Sequence, residues 1–319
     1  MRAWRRLVDA GPSLIACSGG ADSTALTLAL AASVGERIRV GHVVHDMRSD
    51  EEALADRDAV RSLAAALGLG FSERSVRVPA GNAEAGARAA RLCALAEMAK
   101  EFGCATVATA HHAGDQFETV LMALARGAGP GGLAGMARSR PIGAAGVRLI
   151  RPMLGIERAD AERVCRLAGV VWREDATNED RSRLRSALRH EVIPPLRAHR
   201  PGAVRRAAAS AELLADAAGL VEDRAREVFG GGLSWPRETL AAQRRIVVGA
   251  GLRGAWAGLT GGEGADRLSR AIVDAAIDAI ADGRSDRRVF HWPGCVRIDV
   301  AGGLVTIRRV DPTSMEGRL

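Results

Sequence analysis

Along the first half of the chain, short apolar runs alternate with longer stretches in which apolar residues recur every three or four positions. The runs Leu14–Cys17, Ile38–Val44, Phe71–Val78, Ala105–Ala110 and Leu149–Met153 read as buried strands. The stretches between them read as helices. One opens at Asp22, and one runs from the Ser49–Glu52 capping box to about Leu67. Others run from an Asn82 cap to about Phe102, from His111-His112 through Arg126, and from Ala159 to Leu167. An arginine-dense helix is expected over Arg181–Ile193, and the glycine-rich Gly127–Gly135 reads as a loop. Strands alternating with helices predict an α/β fold, a parallel sheet with helices on both faces. Ligands in such sheets sit beyond the carboxyl ends of the strands, where Ser18, His45 and His111 fall.

Pro194-Pro195 and Arg200-Pro201-Gly202 interrupt this rhythm and suggest two domains, 1–195 and 196–319. The second opens with an amphipathic helix carrying Leu213, Leu214, Ala217, Leu220, Val221 and Val228. Helical patterns follow over Glu238–Leu252 and Ala265–Ala281, then short strands at Arg288–His291, Val296–Val300 and Leu304–Arg309. The second domain is therefore expected to be smaller and mainly helical.

Composition adds a partner. The net charge is +7 over 319 residues, which favours a polyanion, although a general arginine and alanine bias weakens that argument. Five cysteines without a CxxC pair argue against a zinc ribbon or a disulfide framework. The apolar run near the N-terminus is too short for a signal segment and no stretch is long enough to span a membrane, so a cytoplasmic protein without a membrane partner is expected.

The chemistry concentrates at Ser18-Gly19-Gly20-Ala21-Asp22-Ser23. A strand that runs through glycines into a helix start presents unpaired amides to an anion, and glycine lets phosphate approach the backbone. The P-loop pattern GxxxxGK[ST] is absent, because the only lysine is Lys100. A purely structural turn capped by Asp22 or Ser23 is the plainer alternative.

SGGADS resembles the SGGxDS signature of the PP-loop ATP pyrophosphatases. His42–Arg48 (HVVHDMR) is similar to the HxxHGLR segment of one subgroup, the tRNA(Ile)-lysidine synthetases. Ala110–Gly127 is similar to their AHHADDQAET…RG, Arg151–Leu154 to their RPLL, and Asp175–Pro194 to their D-x-[ST]-N-x-D…RN…R…P run. The resemblance implies that Ser18, Gly19, Gly20, Ala21, Asp22, Ser23, His45 and His111 bind ATP. It implies that Asp22 and Asp115 hold Mg²⁺ and act in catalysis with Arg185. Glu118 and Arg189 would bind substrate, Glu118 taking a proton from or orienting a lysine amine, with Glu84 the weaker candidate. The implied reaction adenylates C2 of the wobble cytidine in the CAU anticodon of tRNA(Ile), then joins free L-lysine there. A homodimer is compatible with it. Of His111 and His112, one is expected to pack and one to hydrogen-bond in the cleft.

Four positions depart from the family pattern: Gly114 replaces an acid, Asp46 a glycine, Ser186 an asparagine and Leu92 a tyrosine. Two other readings compete. A PP-loop tRNA thiolase would need a sulfur-carrying cysteine or a cluster-binding set, and a non-catalytic nucleotide or RNA binder would keep the loop without turnover.

Overall fold

The computed structural model describes every residue except 1, 9–10, 46–49, 77–82, 144–145, 174–183, 263, 265–266 and 312–319. The chain runs α1 (Arg2–Leu7), β1 (Ser13–Ala16), α2 (Ala21–Val34), β2 (Ile38–His45), α3 (Asp50–Ala66), β3 (Gly70–Val76) and α4 (Ala83–Glu101). Next come β4 (Thr106–Ala108), α5 (Ala113–Ala125), α6 (Pro130–Leu133), β5 (Ser139–Ile142), β6 (Val147–Ile150) and α7 (Arg158–Leu167). These strands form one sheet in the order β3-β2-β1-β4-β6-β5. Neighbours are parallel except β5, which runs antiparallel to β6.

Alternation along β1 builds both layers. Ile15 packs with Trp4, Leu26, Leu30, Ile38 and Ile150 on one face. Its neighbour Leu14 points the other way, into Leu95, Met98, Val107 and Leu149. Both are fully buried, as a strand covered on two sides requires. The chain leaves β1 toward β2 and β3 on one side and returns to β4 and β6 on the other. The carboxyl ends of β1 and β4 therefore flank a topological switch point, where such sheets open a crevice.

Beyond the sheet, α8 (Leu184–Ala187) passes through a π turn at Leu188–Val192 into α9 (Ile193–His199). Pro194 and Pro195 lack the N–H groups that α-helical bonding would use, and the wider turn just before them accommodates the loss. They sit in the first turn of α9, so the helix continues where the sequence suggested a break. Two compact units emerge, Met1–Leu213 and Leu214–Leu319, and the division falls inside α10 (Ala203–Phe229). Residues 196–213, assigned to the second domain from the sequence, thus belong to the first unit.

The second unit continues through β7 (Ser234–Pro236), α11 (Arg237–Ala241), α12 (Arg245–Thr260) and α13 (Arg270–Ala281) to β8 (Arg288–Trp292), β9 (Val296–Ala301) and β10 (Leu304–Arg309). Its antiparallel sheet has the order β7-β10-β9-β8. Trp235, Trp256, Trp292, Leu252, Ile277 and Ile298 share its core. Gly251 permits close packing there, since a Cβ would lie 2.1 Å from the Phe229 ring. The structure departs from the sequence expectation at several elements: α1 and the edge strands β5 and β7 are additional, α6 occupies the glycine-rich loop, and the pattern over Glu238–Leu252 is divided between α11 and α12. No helix among the described residues is long and apolar enough to cross a membrane.

Candidate functional site

The end of β1 is held in place by its own side chains. Gly19 takes a left-handed conformation (φ +89°), which glycine adopts without steric cost. Gly20 then caps α2 in an extended conformation, with no side chain covering the first amides. Ser23 Oγ accepts from Ser18 N–H (3.1 Å) and donates to the Gly20 carbonyl (3.1 Å), closing the loop on itself. Arg173 N–H donates to the Gly19 carbonyl (3.0 Å), and its guanidinium pairs with Asp56 on α3 (2.9 Å). The outer face of the loop is thereby satisfied by protein, and the amides at the start of α2 remain for an anion.

A cleft of about 250 Å³ opens over this loop. Ser18, Gly20, Asp22 and Ser23 form one wall, and Arg88, Arg91, Leu92 and Leu95 on α4 form another. His111 and Asp115 line the β4 side. Burial and the Arg88 guanidinium push Arg91 below its ordinary value. Both arginines add positive potential to a phosphate-sized space.

The acids differ in environment. Burial raises Asp22 above the usual carboxylate range, and the nearby Asp115 charge adds to this, against opposing fields from His112 and Arg158. Its Oδ1 is buried with no hydrogen-bond partner among the described residues. Burial would also raise Asp115, but His112, His111 and Arg185 outweigh it and hold that carboxyl below its ordinary value. Asp115 Oδ2 accepts from His112 N–H (2.9 Å), and Oδ1 accepts from Arg185 Nη2 (3.1 Å). Among the described residues no three His, Cys, Asp or Glu side chains form a ready metal cage.

The two histidines divide their work. Burial pushes His111 down to about 4, so it is neutral at physiological pH, with Nδ1 2.9 Å from Thr109 Oγ1. His112 instead caps α5, Nδ1 accepting from the N–H groups of Gly114 (3.0 Å) and Asp115 (3.3 Å). The sequence carries the matching signal, an acid three residues after the cap residue.

Glu118 is almost fully buried, and both its oxygens are engaged. Arg189 Nε donates to Oε1 (2.7 Å), while Arg185 Nε (2.7 Å) and Arg189 Nη2 (3.1 Å) donate to Oε2. Glu118, expected to meet a lysine amine, anchors two arginines here. Ser186 Oγ is buried without a partner among the described residues. Gly19 and Ala21 complete the loop, and His45 ends β2. The side chains of His45 and Glu84, together with residues 46–48 and 175–183 of the motifs, lie outside the described residues. Sequence reasoning missed the Asp56–Arg173 pair, whose members stand 117 positions apart and carry no local signal.

A PP-loop domain model matches residues 5–196. The chain is 40% identical to a tRNA(Ile)-lysidine synthase of Salinispora tropica, over 96% of this chain and 92% of that protein. It is 38% identical to the tRNA(Ile)-lysidine synthase of Salinispora arenicola, over 98% and 94%. The solved structure of a U34-tRNA thiolase from Methanococcus maripaludis superposes with a TM-score of 0.55 at 15% identity, covering 67% of this chain and 77% of that one, a likeness of fold. The loop at the switch point and the near-complete alignment with these relatives agree, and the chain belongs to the tRNA(Ile)-lysidine synthases of the PP-loop family.

Proposed function

We propose that the protein joins free L-lysine to C2 of the wobble cytidine in tRNA(Ile) bearing the CAU anticodon, using ATP. In the first step the C2 carbonyl oxygen attacks the α-phosphorus and the bond to the β-phosphate oxygen breaks, releasing pyrophosphate. In the second the lysine ε-nitrogen bonds to C2 and AMP leaves with the former C2 oxygen. Both steps demand positioning and charge neutralisation more than covalent help from the protein.

The observation that carries the reading is the Ser18–Ser23 loop, whose open helix start faces the same cleft as Asp22. The loop amides would hold the pyrophosphate end of ATP. Asp22 Oδ1, buried and without a partner among the described residues, is the oxygen that would hold a hard divalent cation such as Mg²⁺. When bound, Mg²⁺ would neutralise charge on the departing pyrophosphate. Asp115 has both oxygens occupied and suits the role of orienting Arg185 better than that of a second ligand. Arg185 and Arg189, each about a third exposed, are held by Glu118 with guanidinium edges left for phosphate.

Purified protein given ATP, Mg²⁺ and radiolabelled lysine should label tRNA(Ile) with a CAU anticodon and leave tRNA(Met) unlabelled. Sulfur incorporation instead of lysine would favour a thiolase. Nucleotide binding without turnover of any tRNA would favour a non-catalytic relative.

A further inference from the structure

Gly114 stands where the resembled family carries the first of two adjacent acids, and the loss reads at first as a missing metal ligand. The geometry gives it another meaning. A Cβ at position 114 would lie 2.7 Å from His112 Cε1 and 3.0 Å from Nδ1, closer than real Cβ atoms approach a ring. With no side chain at 114 the imidazole folds over the first turn of α5 in this way, and any Cβ there would push the ring aside. There Nδ1 accepts from two backbone N–H groups, which leaves Nε2 as the ring's donor nitrogen. Nε2 lies 3.8 Å from Asp22 Oδ2, an electrostatic contact that a small side-chain adjustment would close to a hydrogen bond.

Asp22 Oδ1 has no hydrogen-bond partner among the described residues. Its carboxylate would otherwise be free to turn about χ2, at a cost in any cation it holds. We infer that His112, admitted by Gly114, is a positioning residue. It orients Asp22 through Oδ2 and leaves Oδ1 directed to the divalent cation of the bound nucleotide, compensating for the absent acid at 114. The inference rests on the functional reading that Asp22 faces a metal–nucleotide complex. It goes further in making Gly114 and His112 one unit, so that restoring an acid at 114 is harmful.

The test uses the full chain, a non-hydrolysable ATP analogue and Mn²⁺, whose binding is read by electron paramagnetic resonance, with melting temperature measured in parallel. His112→Asn keeps a good helix cap but is too short to reach Asp22. It should melt near the wild type yet bind Mn²⁺–nucleotide roughly tenfold more weakly, the usual order for losing a group that orients a metal ligand. Gly114→Ala should displace the ring, lowering both the melting temperature and Mn²⁺ affinity, and Gly114→Asp should not bind Mn²⁺ more tightly than the wild type. Wild-type affinity in His112→Asn would reduce His112 to a helix cap and overturn the inference, as would tighter binding by Gly114→Asp. A wild-type protein that binds no Mn²⁺–nucleotide would overturn the functional reading and this inference with it.

Discussion

Arg189 meets Glu118 in a two-point pair, Nε to Oε1 at 2.7 Å and Nη2 to Oε2 at 3.1 Å, on a carboxylate almost closed to solvent. Arg185 shares Oε2 at 2.7 Å and reaches Asp115 at 3.1 Å. A negative charge buried beneath two guanidiniums fixes their direction and offsets their mutual repulsion.

Glu118→Gln keeps the shape and removes that charge. It should lower stability by about 2 kcal/mol, the scale of hydrogen bonds to charged partners, as read by urea unfolding. If the pair serves to present arginines to RNA, tRNA affinity should fall while nucleotide affinity changes little. Equal losses of both would assign Glu118 to the nucleotide site.

Asp22 predicts the opposite balance of stability and activity. Its carboxylate is half-buried and its Oδ1 lacks a partner among the described residues, so the folded state carries a cost of desolvation. Asp22→Asn should therefore be as stable as the wild type or more stable. Pyrophosphate release should fall by roughly a hundredfold or more, the usual scale for losing one preorganised charge-stabilising group. Full release at ordinary Mg²⁺ would remove Asp22 from the chemistry.

The legible parts of the molecule were those with a local signature. Leu14 to Cys17, followed by Ser18, two glycines and a helix start, announced the strand, the turn and the open helix start beyond it. His111 fell at another strand end, whereas Asp115 came only with the family resemblance. The Glu118–Arg185 contact spans 67 positions, and nothing local links its members. Nor does anything local to Arg151 signal its burial, yet it is 2% exposed and donates to the Ala137 carbonyl at 2.6 Å. β5 was hidden because Pro141 argues against a strand, a penalty that an edge position avoids.

His111 gives a pH dependence with a definite sign. Its value in the folded protein is about 4 against an ordinary 6.5. As pH falls from 6.5 to 4 the unfolded chain takes up a proton that the folded chain does not, so stability declines across that window and levels off below it. Asp22, raised by burial, acts in the opposite direction, so the comparison must be between variants. His111→Gln should lose less stability between pH 7 and pH 5 than the wild type, measured by denaturant midpoints. Parallel curves would mean that His111 titrates normally.

The boundary between units can be tested by truncation. Val204 and Ala208 at the start of α10 pack with Ala113 and Phe117 of α5 and with Ile193. Arg205 bridges Glu157 and Asp160 at 2.9 Å each, and Arg138 grips Glu212 at 3.0 and 2.8 Å. Cutting after Pro195 would therefore uncover the buried face of α5, the helix that carries Asp115 and Glu118. That fragment should unfold at lower denaturant and bind nucleotide poorly. A fragment ending at Leu213 keeps these contacts and should bind nucleotide like the full chain. It should lose much of its tRNA affinity, because exposed arginines such as Arg244, Arg308 and Arg309 go with the second unit. The lost part should be the salt-sensitive part, since phosphate contacts release counterions. Equal nucleotide affinity in the two fragments would return the boundary to Pro195, and undiminished tRNA binding by the Leu213 fragment would place RNA recognition in the first unit.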